Sequence, residues 1–368
     1  MERRNFIKAL GSSLLGLLGT SLPFGETRSL ASLPTIPLER VVRVHDQNAT
    51  FWDYSTDYYW NFVNQEVVDL MVDRGIRELT RKTYARDGWR ELLASYNLGD
   101  RIAIKFNING YWSQDNHREI DALIEIINSI IMGLLSIGIP ESSIYVYDAS
   151  RNIPAIRYTS RCRYSNVNFV GLDQVTFGQT GDEFERIQFT HPLLREVIKY
   201  IPDVLINSQH LINVPLMKSH GMGNTGSFKN HFGSVNMPID DMHCCMGQLA
   251  NNALVDIYKN PHILKKTRLI VGDGTFGEFR RGDGGGFPEP WITFQGQSPN
   301  CLFFSLDPVA IDSVMLDHII KEREAQGIVW FPPHEYLHAS FFDGLGIHEH
   351  QDKNGRYSQI DYINLEIS

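Results

Sequence analysis

Between Met217 and Gly233 the chain places two lysines, two histidines and four glycines within seventeen residues, directly after an apolar run. Glycine lets a backbone turn tightly and present free N–H groups to an anion. A lysine adds point charge, and beside a second cation its pKa falls toward values suited to base or nucleophile work. Lys218 and Lys229 are therefore expected to bind a small anionic molecule, a carboxylate or phosphate. His220 and the later His243 are the histidines placed to act as general acid, general base or metal ligand near neutral pH. Lys229, His220 and His243 are the catalytic candidates. Lys105, Asn107, Lys218, Gly221, Gly223, Thr225, Gly226 and Asn230 are the substrate-binding candidates. Asp148 and Asp273 are expected to orient the cations.

Two familiar phosphate devices do not fit this loop. There is no G-x-x-x-x-G-K-S/T pattern, and G-M-G-N-T-G (Gly221 to Gly226) follows a histidine rather than opening a helix after a strand. For a metal the candidates are His220, His243 and Cys244, whose softness favours zinc or copper. The alternative for Cys244-Cys245 is an inert pair packed in apolar surroundings. The remaining cysteines, Cys162 and Cys301, make no Cys-x-x-Cys pair with these, so neither a zinc ribbon nor an intrinsic iron–sulfur cluster is encoded. His334, His338, His348 and His350 are expected as scattered, exposed side chains, with metal binding as the other reading. Cofactor identity stays open; a metal ion fits the residue types.

These side chains must be positioned by strands and helices. Apolar runs at 41–44, 101–106, 144–147, 167–172, 204–206, 211–214, 268–271 and 301–305 read as strands. Helices are expected at about 64–79, 118–137, 192–200, 250–259 and 308–321. Strands that are apolar on both faces and separated by helices argue an α/β fold, with a mostly parallel sheet covered by helices on both faces. In such sheets ligands bind beyond the carboxyl ends of the strands. That is where Lys105, Asn107, Asp148, Lys218, Asp273 and Asp307 fall. Asp307 before Pro308 is expected to cap the helix that follows. Residues 39–368 are read as one large domain, with 330–368 a polar C-terminal appendage.

The first thirty-one residues read as a twin-arginine signal peptide. Arg3-Arg4 is followed by Phe6 and Lys8, then by a weakly apolar, glycine-diluted run from Ala9 to Leu22. Ser29-Leu30-Ala31 offers a cleavage point. Residues 32–38 form a linker. An exported protein located in the periplasm, with the twin-arginine translocase as a partner and no permanent membrane anchor, follows from this reading. The 368 residues carry a formal net charge of -9 and 42% apolar residues. That balance gives no electrostatic reason to bind nucleic acid and describes an ordinary globular chain.

The order of motifs resembles the domain of unknown function 362 (DUF362) family. It runs from Lys105-x-Asn107 and Asp148 to V-P-x-x-K-S-H-G and T-G-x-x-K-N-x-x-G (Val214 to Gly233). Met242-His243, Asp273-Gly274 and S-x-D-P-V-A-x-D (Ser305 to Asp312) follow. The resemblance spans about 101–320 and implies no settled reaction. Some family members carry ferredoxin-type cysteines, which this sequence lacks. The expected function is an enzyme acting on a small anionic substrate through the 218–233 loop, with a metal or redox cofactor as an option. The alternatives are a non-catalytic periplasmic anion- or metal-binding protein, and an accessory subunit of an iron–sulfur-associated redox system.

Overall fold

The computed structural model describes residues 36–37, 39–109, 119–221, 223–280, 286–329 and 332–368. The leader, its cleavage point and most of the linker lie outside the described residues. Ten strands follow in chain order. They are β1 (Arg40–His45), β2 (Ile102–Phe106), β3 (Ile144–Tyr147), β4 (Asn168–Val170), β5 (His210–Val214), β6 (Leu216–His220), β7 (Gly223–Asn224), β8 (Thr267–Glu278), β9 (Cys301–Ser305) and β10 (Asp361–Glu366). The helices are α1 (Gln65–Thr80), α2 (Ala85–Leu92), α3 (Ile124–Ser136), α4 (Asp203–Ile206), α5 (Ala253–Tyr258), α6 (Pro261–Leu264), α7 (Pro308–Ala325) and α8 (Glu335–Phe342).

The sheet runs β10-β1-β9-β8-β5-β2-β3-β4, and β6 adds to β8. The block β8-β5-β2-β3-β4 is parallel throughout. Only β9 runs against its neighbours along that path, antiparallel to both β1 and β8. Alternation along each strand feeds two apolar layers. Val42, Val44, Ile102, Ile104, Ile212 and Val214 pack with α1, α2 and α3. Ala103 and Leu211 face α5 and α8, while Val41, Ile270 and Phe303 face α7. Helices thus cover both faces of a mostly parallel sheet, as the apolar strands predict, and residues 34–368 make one compact unit. Among the described residues no helix is long and apolar enough to cross a membrane.

Among the departures from the sequence-based expectation, four have a local reason. The helix expected from 118 begins at Ile124, because the residues before it bond sideways. Ile120 N–H donates to the Gly286 carbonyl at 3.0 Å and Ala122 N–H to the Asn107 carbonyl at 2.9 Å. Residues 204–206, expected as a strand, form the single turn α4 after Pro202; a short apolar run carries no period that separates the two states. Of the helix expected at 192–200, only a 3-10 turn at Pro192–Leu194 exists. Beyond it Ile187 N–H donates to the Lys199 carbonyl at 2.8 Å, which draws the chain into extended pairing. The polar tail is not merely appended. Its last strand, β10, lies parallel to β1 in register from Arg40↔Asp361 to His45↔Glu366.

Candidate functional site

The parallel strands β2, β3 and β5 end at one edge, and there the loop after β6 folds back over them. Lys105, on β2, is fully buried. Its ammonium donates to Asp148 Oδ2 at 3.1 Å, to Asn230 Oδ1 at 2.9 Å and to the Phe106 carbonyl. Burial lowers the Lys105 pKa and Asp148 opposes that shift. Asp148 is held in turn by the N–H of Ile108 and by the N–H and hydroxyl of Ser150. Asn230 closes the knot by donating to the Lys105 carbonyl and to Asn213 Oδ1, and it accepts from Asn107. The side-chain polar atoms of Lys105 and Asn230 are all bonded inside the protein, so these two set the shape of the loop base. Gly233 fits against the knot because a Cβ there would lie 2.7 Å from both Lys105 Nζ and Asp148 Oδ1.

Lys229 is the contrasting lysine. It is 9% exposed, and its ammonium has no hydrogen-bond or ion-pair acceptor among the described residues. Its Nζ lies 5.2 Å from the centre of the Phe232 ring. Burial, with Lys218 and Arg151 nearby, brings its pKa down to about 7, against a small opposing pull from Asp240. His220 and His243 stack with ring centres 5.8 Å apart. Burial, then Lys229, His243 and Lys218, push His220 down to about 2, so it is a neutral imidazole at any ordinary pH. Burial and Lys229 lower His243 as well. Lys218 is buried and ion-paired with Glu119 at 3.2 Å. The structure therefore brings Lys218, His220, Lys229 and His243 into one neighbourhood.

The loop is clamped from the far side by α7. Asp312 accepts from Ser227 N–H at 2.6 Å and from the Tyr336 hydroxyl at 3.0 Å. A Cβ on Gly226 would fall 2.3 Å from that carboxylate, so glycine is required there for contact rather than for a special backbone angle. Ser227 also donates to the Pro308 carbonyl. Thr225 N–H returns to the Lys218 carbonyl at 2.8 Å, and Gly223 pairs with His220 across a two-residue hairpin that turns through Gly221. Asp307 caps α7 as expected, accepting from Val309 N–H and Ala310 N–H.

Two expected roles move. Asp273 does not touch the loop cations: it accepts from Leu123 N–H at 3.2 Å and Thr275 N–H at 3.0 Å. Burial raises its pKa to about 6. Its place is under the 119–123 segment. Cys244 is joined to Cys245 in a disulfide between adjacent residues, which removes its thiolate as a metal ligand in this state. Among the described residues, the trio of potential ligands with ligating atoms within 4.8 Å of one another is His334, His338 and His348, not His220, His243 and Cys244.

Sequence reasoning missed Glu119, Asn213 and Arg151. Glu119 lay inside an expected helix, although an acid two residues before Asp121, ahead of a long apolar run, was a usable signal. Asn213 breaks an apolar strand, Leu-Ile-Asn-Val, and its side chain donates to the Ser227 carbonyl at 3.0 Å. Arg151 carried no motif at all.

Fold and site together define an α/β protein with a lysine- and histidine-lined loop at the carboxyl edge of a parallel sheet. The chain belongs to the family described as Domain of unknown function (DUF362), which it matches over residues 102–317, more than half its length. That span opens on β2 and ends within α7, so it holds Lys105 through Asp312 and stops before the histidine-rich tail. Comparison with curated proteins gave no match.

Proposed function

We propose that this DUF362 protein is an enzyme that takes a proton from a small anionic substrate, with Lys229 as the base. One observation carries the reading: a nine-tenths buried lysine without an acceptor among the described residues, held near pKa 7 by burial and neighbouring cations. A carboxylate or phosphate entering the loop meets the charges of Lys218 and Arg151 and the N–H groups of the glycine-rich turn. The neutral Lys229 amine accepts the substrate proton. His243, whose side chain is 28% exposed, passes it to solvent, and the negative charge left on the substrate stays beside the cations. His220, uncharged, offers a hydrogen bond without adding repulsion. A metal at His220 or His243 is an option this reading does not require.

The amino-terminal pattern supports export to the periplasm by the twin-arginine translocase, and the net charge of -9 gives no support to nucleic acid as a partner. Mass spectrometry of protein matured in an exporting host should show loss of residues 1–31; retention of the leader overturns export.

The enzymatic reading is tested by deuterium exchange from heavy water into a panel of small carboxylates and phosphate esters, with inorganic phosphate binding measured in parallel. Exchange catalysed by the wild-type chain should fall at least roughly 100-fold in Lys229→Met, the usual worth of a general base, while phosphate still binds. No exchange by the wild type, together with phosphate binding that disappears in Lys229→Met, would mean a non-catalytic anion binder. Constant co-purification with redox subunits and neither activity would instead favour the accessory role.

A further inference from the structure

The four histidines of the tail are not scattered. His334 immediately precedes α8 and His338 lies one turn inside it, and the two rings meet at the start of that helix. The chain then turns and brings His348 back onto them. The ring centres of His334 and His338 lie 5.2 Å apart and those of His338 and His348 4.4 Å apart. One ligating atom from each of the three lies within 4.8 Å of the other two, and all three residues are half-buried.

Hydrogen bonds fix which nitrogens remain open. Ser313, on α7, donates its hydroxyl proton to the Val309 carbonyl at 2.7 Å. Its oxygen is then left to accept from His348 Nδ1–H at 2.9 Å. That sets the His348 tautomer and leaves Nε2 as a lone-pair donor, and this atom is buried with no hydrogen-bond partner. His334 Nδ1 faces the Pro332 carbonyl at 3.3 Å, which likewise leaves its Nε2 open. His350 stands beside the trio, 5.0 Å from His348 ring to ring, with its Nδ1 drawn to Asp317 at 2.6 Å. An imidazole held by a hydroxyl or carboxylate on one nitrogen and open on the other is how proteins prepare histidine for a metal.

We propose that His334, His338 and His348 form a binding site for a late first-row divalent cation. Three imidazoles without thiolate, carbonyl or carboxylate suit zinc, copper or nickel and not calcium or magnesium. A tetrahedral ion with Zn–N bonds of about 2.0–2.1 Å sets its ligand nitrogens roughly 3.3 Å apart, so the trio needs to close by about 1.5 Å at most. Three protein ligands leave a fourth position open. The site lies beyond the family-matched span of 102–317 and stands independently of the role proposed for Lys229.

The test uses the full chain carrying no polyhistidine tag, stripped with a chelator and titrated with Zn²⁺ alone by calorimetry. One Zn²⁺ per chain is expected, with a matching rise in melting temperature. Co²⁺ in its place should give the intense visible bands of a four- or five-coordinate nitrogen site. His338→Ala and His348→Ala should each weaken Zn²⁺ binding by about 100-fold or more, and Ser313→Ala by about 10–100-fold through the lost support of His348. His243→Ala and Cys244→Ser should bind Zn²⁺ as the wild type does. If His348→Ala fails to fold, His338→Ala decides. The proposal falls if the wild type takes up no Zn²⁺, if His338→Ala binds unchanged, or if the loss follows His243→Ala instead.

Discussion

Lys105 and Lys229 show how little residue type says about the work a lysine does. Both are buried, yet one is saturated by three acceptors and the other has none among the described residues. In Lys105→Met the Asp148 carboxylate would be left without its cation, a change that costs about 3–5 kcal/mol in buried pairs. Urea denaturation should show that loss. Gly233→Ala should weaken the same knot by about 1–3 kcal/mol, because its methyl must displace Lys105 Nζ or Asp148. For Lys229 the sign is set first by burial and then by Lys218 and Arg151, all of which disfavour its protonated form. Its acylation by acetic anhydride, followed by peptide mass spectrometry, should rise with pH about a midpoint near 7. In Lys218→Met that midpoint should move up, since one repelling charge is gone; an unmoved midpoint would place the cause in burial and Arg151. The sequence marked both lysines as site residues, but the difference between them depends on Asp148 and Asn230, which lie 43 and 125 residues from Lys105.

At the level of elements, what could be read was whatever is encoded within a few neighbours. The strands β1, β2, β3, β5 and β9 stood out because runs buried on both faces must be apolar throughout. The Asp307-Pro308 start of α7 stood out because a cap and its helix are adjacent. The clamp five residues further on did not, since Asp312 reaches Ser227, 85 residues away, and Tyr336 on another helix. Burial raises the Asp312 pKa to about 7, from an ordinary value of 3.8. Between those two values the folded chain holds a proton that the unfolded chain has lost, so this group lowers stability as pH rises from about 4 to 7. Asp312→Asn removes that dependence. Its melting temperature relative to wild type should therefore improve from pH 5 to pH 8, whatever its absolute offset, and scanning calorimetry at the two pH values checks it. The 119–123 segment misled for the opposite reason: its apolar residues continue a helical pattern while its backbone bonds elsewhere.

On the scale of the whole molecule, the tail is part of the sheet that carries the site. Arg40 pairs with Asp361 at 2.7 Å and Arg43 with Glu366 at 2.8 Å, which ties β10 to β1 by side chains as well as by backbone. A chain stopped after Ile360 would lose both pairs and uncover the edge of β1. Exposed strand edges recruit other chains. The expected result is a lower melting temperature and concentration-dependent association on size-exclusion chromatography; an unchanged monomer would show that β1 needs no cover.

The same pairing bears on the order in which the protein is made. β1 sits between β9 and β10, so the first of the described strands to be made is flanked by the last two of them. Arg40 and Asp361 are 321 residues apart in the chain. β1 can pack on α1 soon after both are made, yet it has no strand partner until β9 and β10 follow, and the sheet closes only with them.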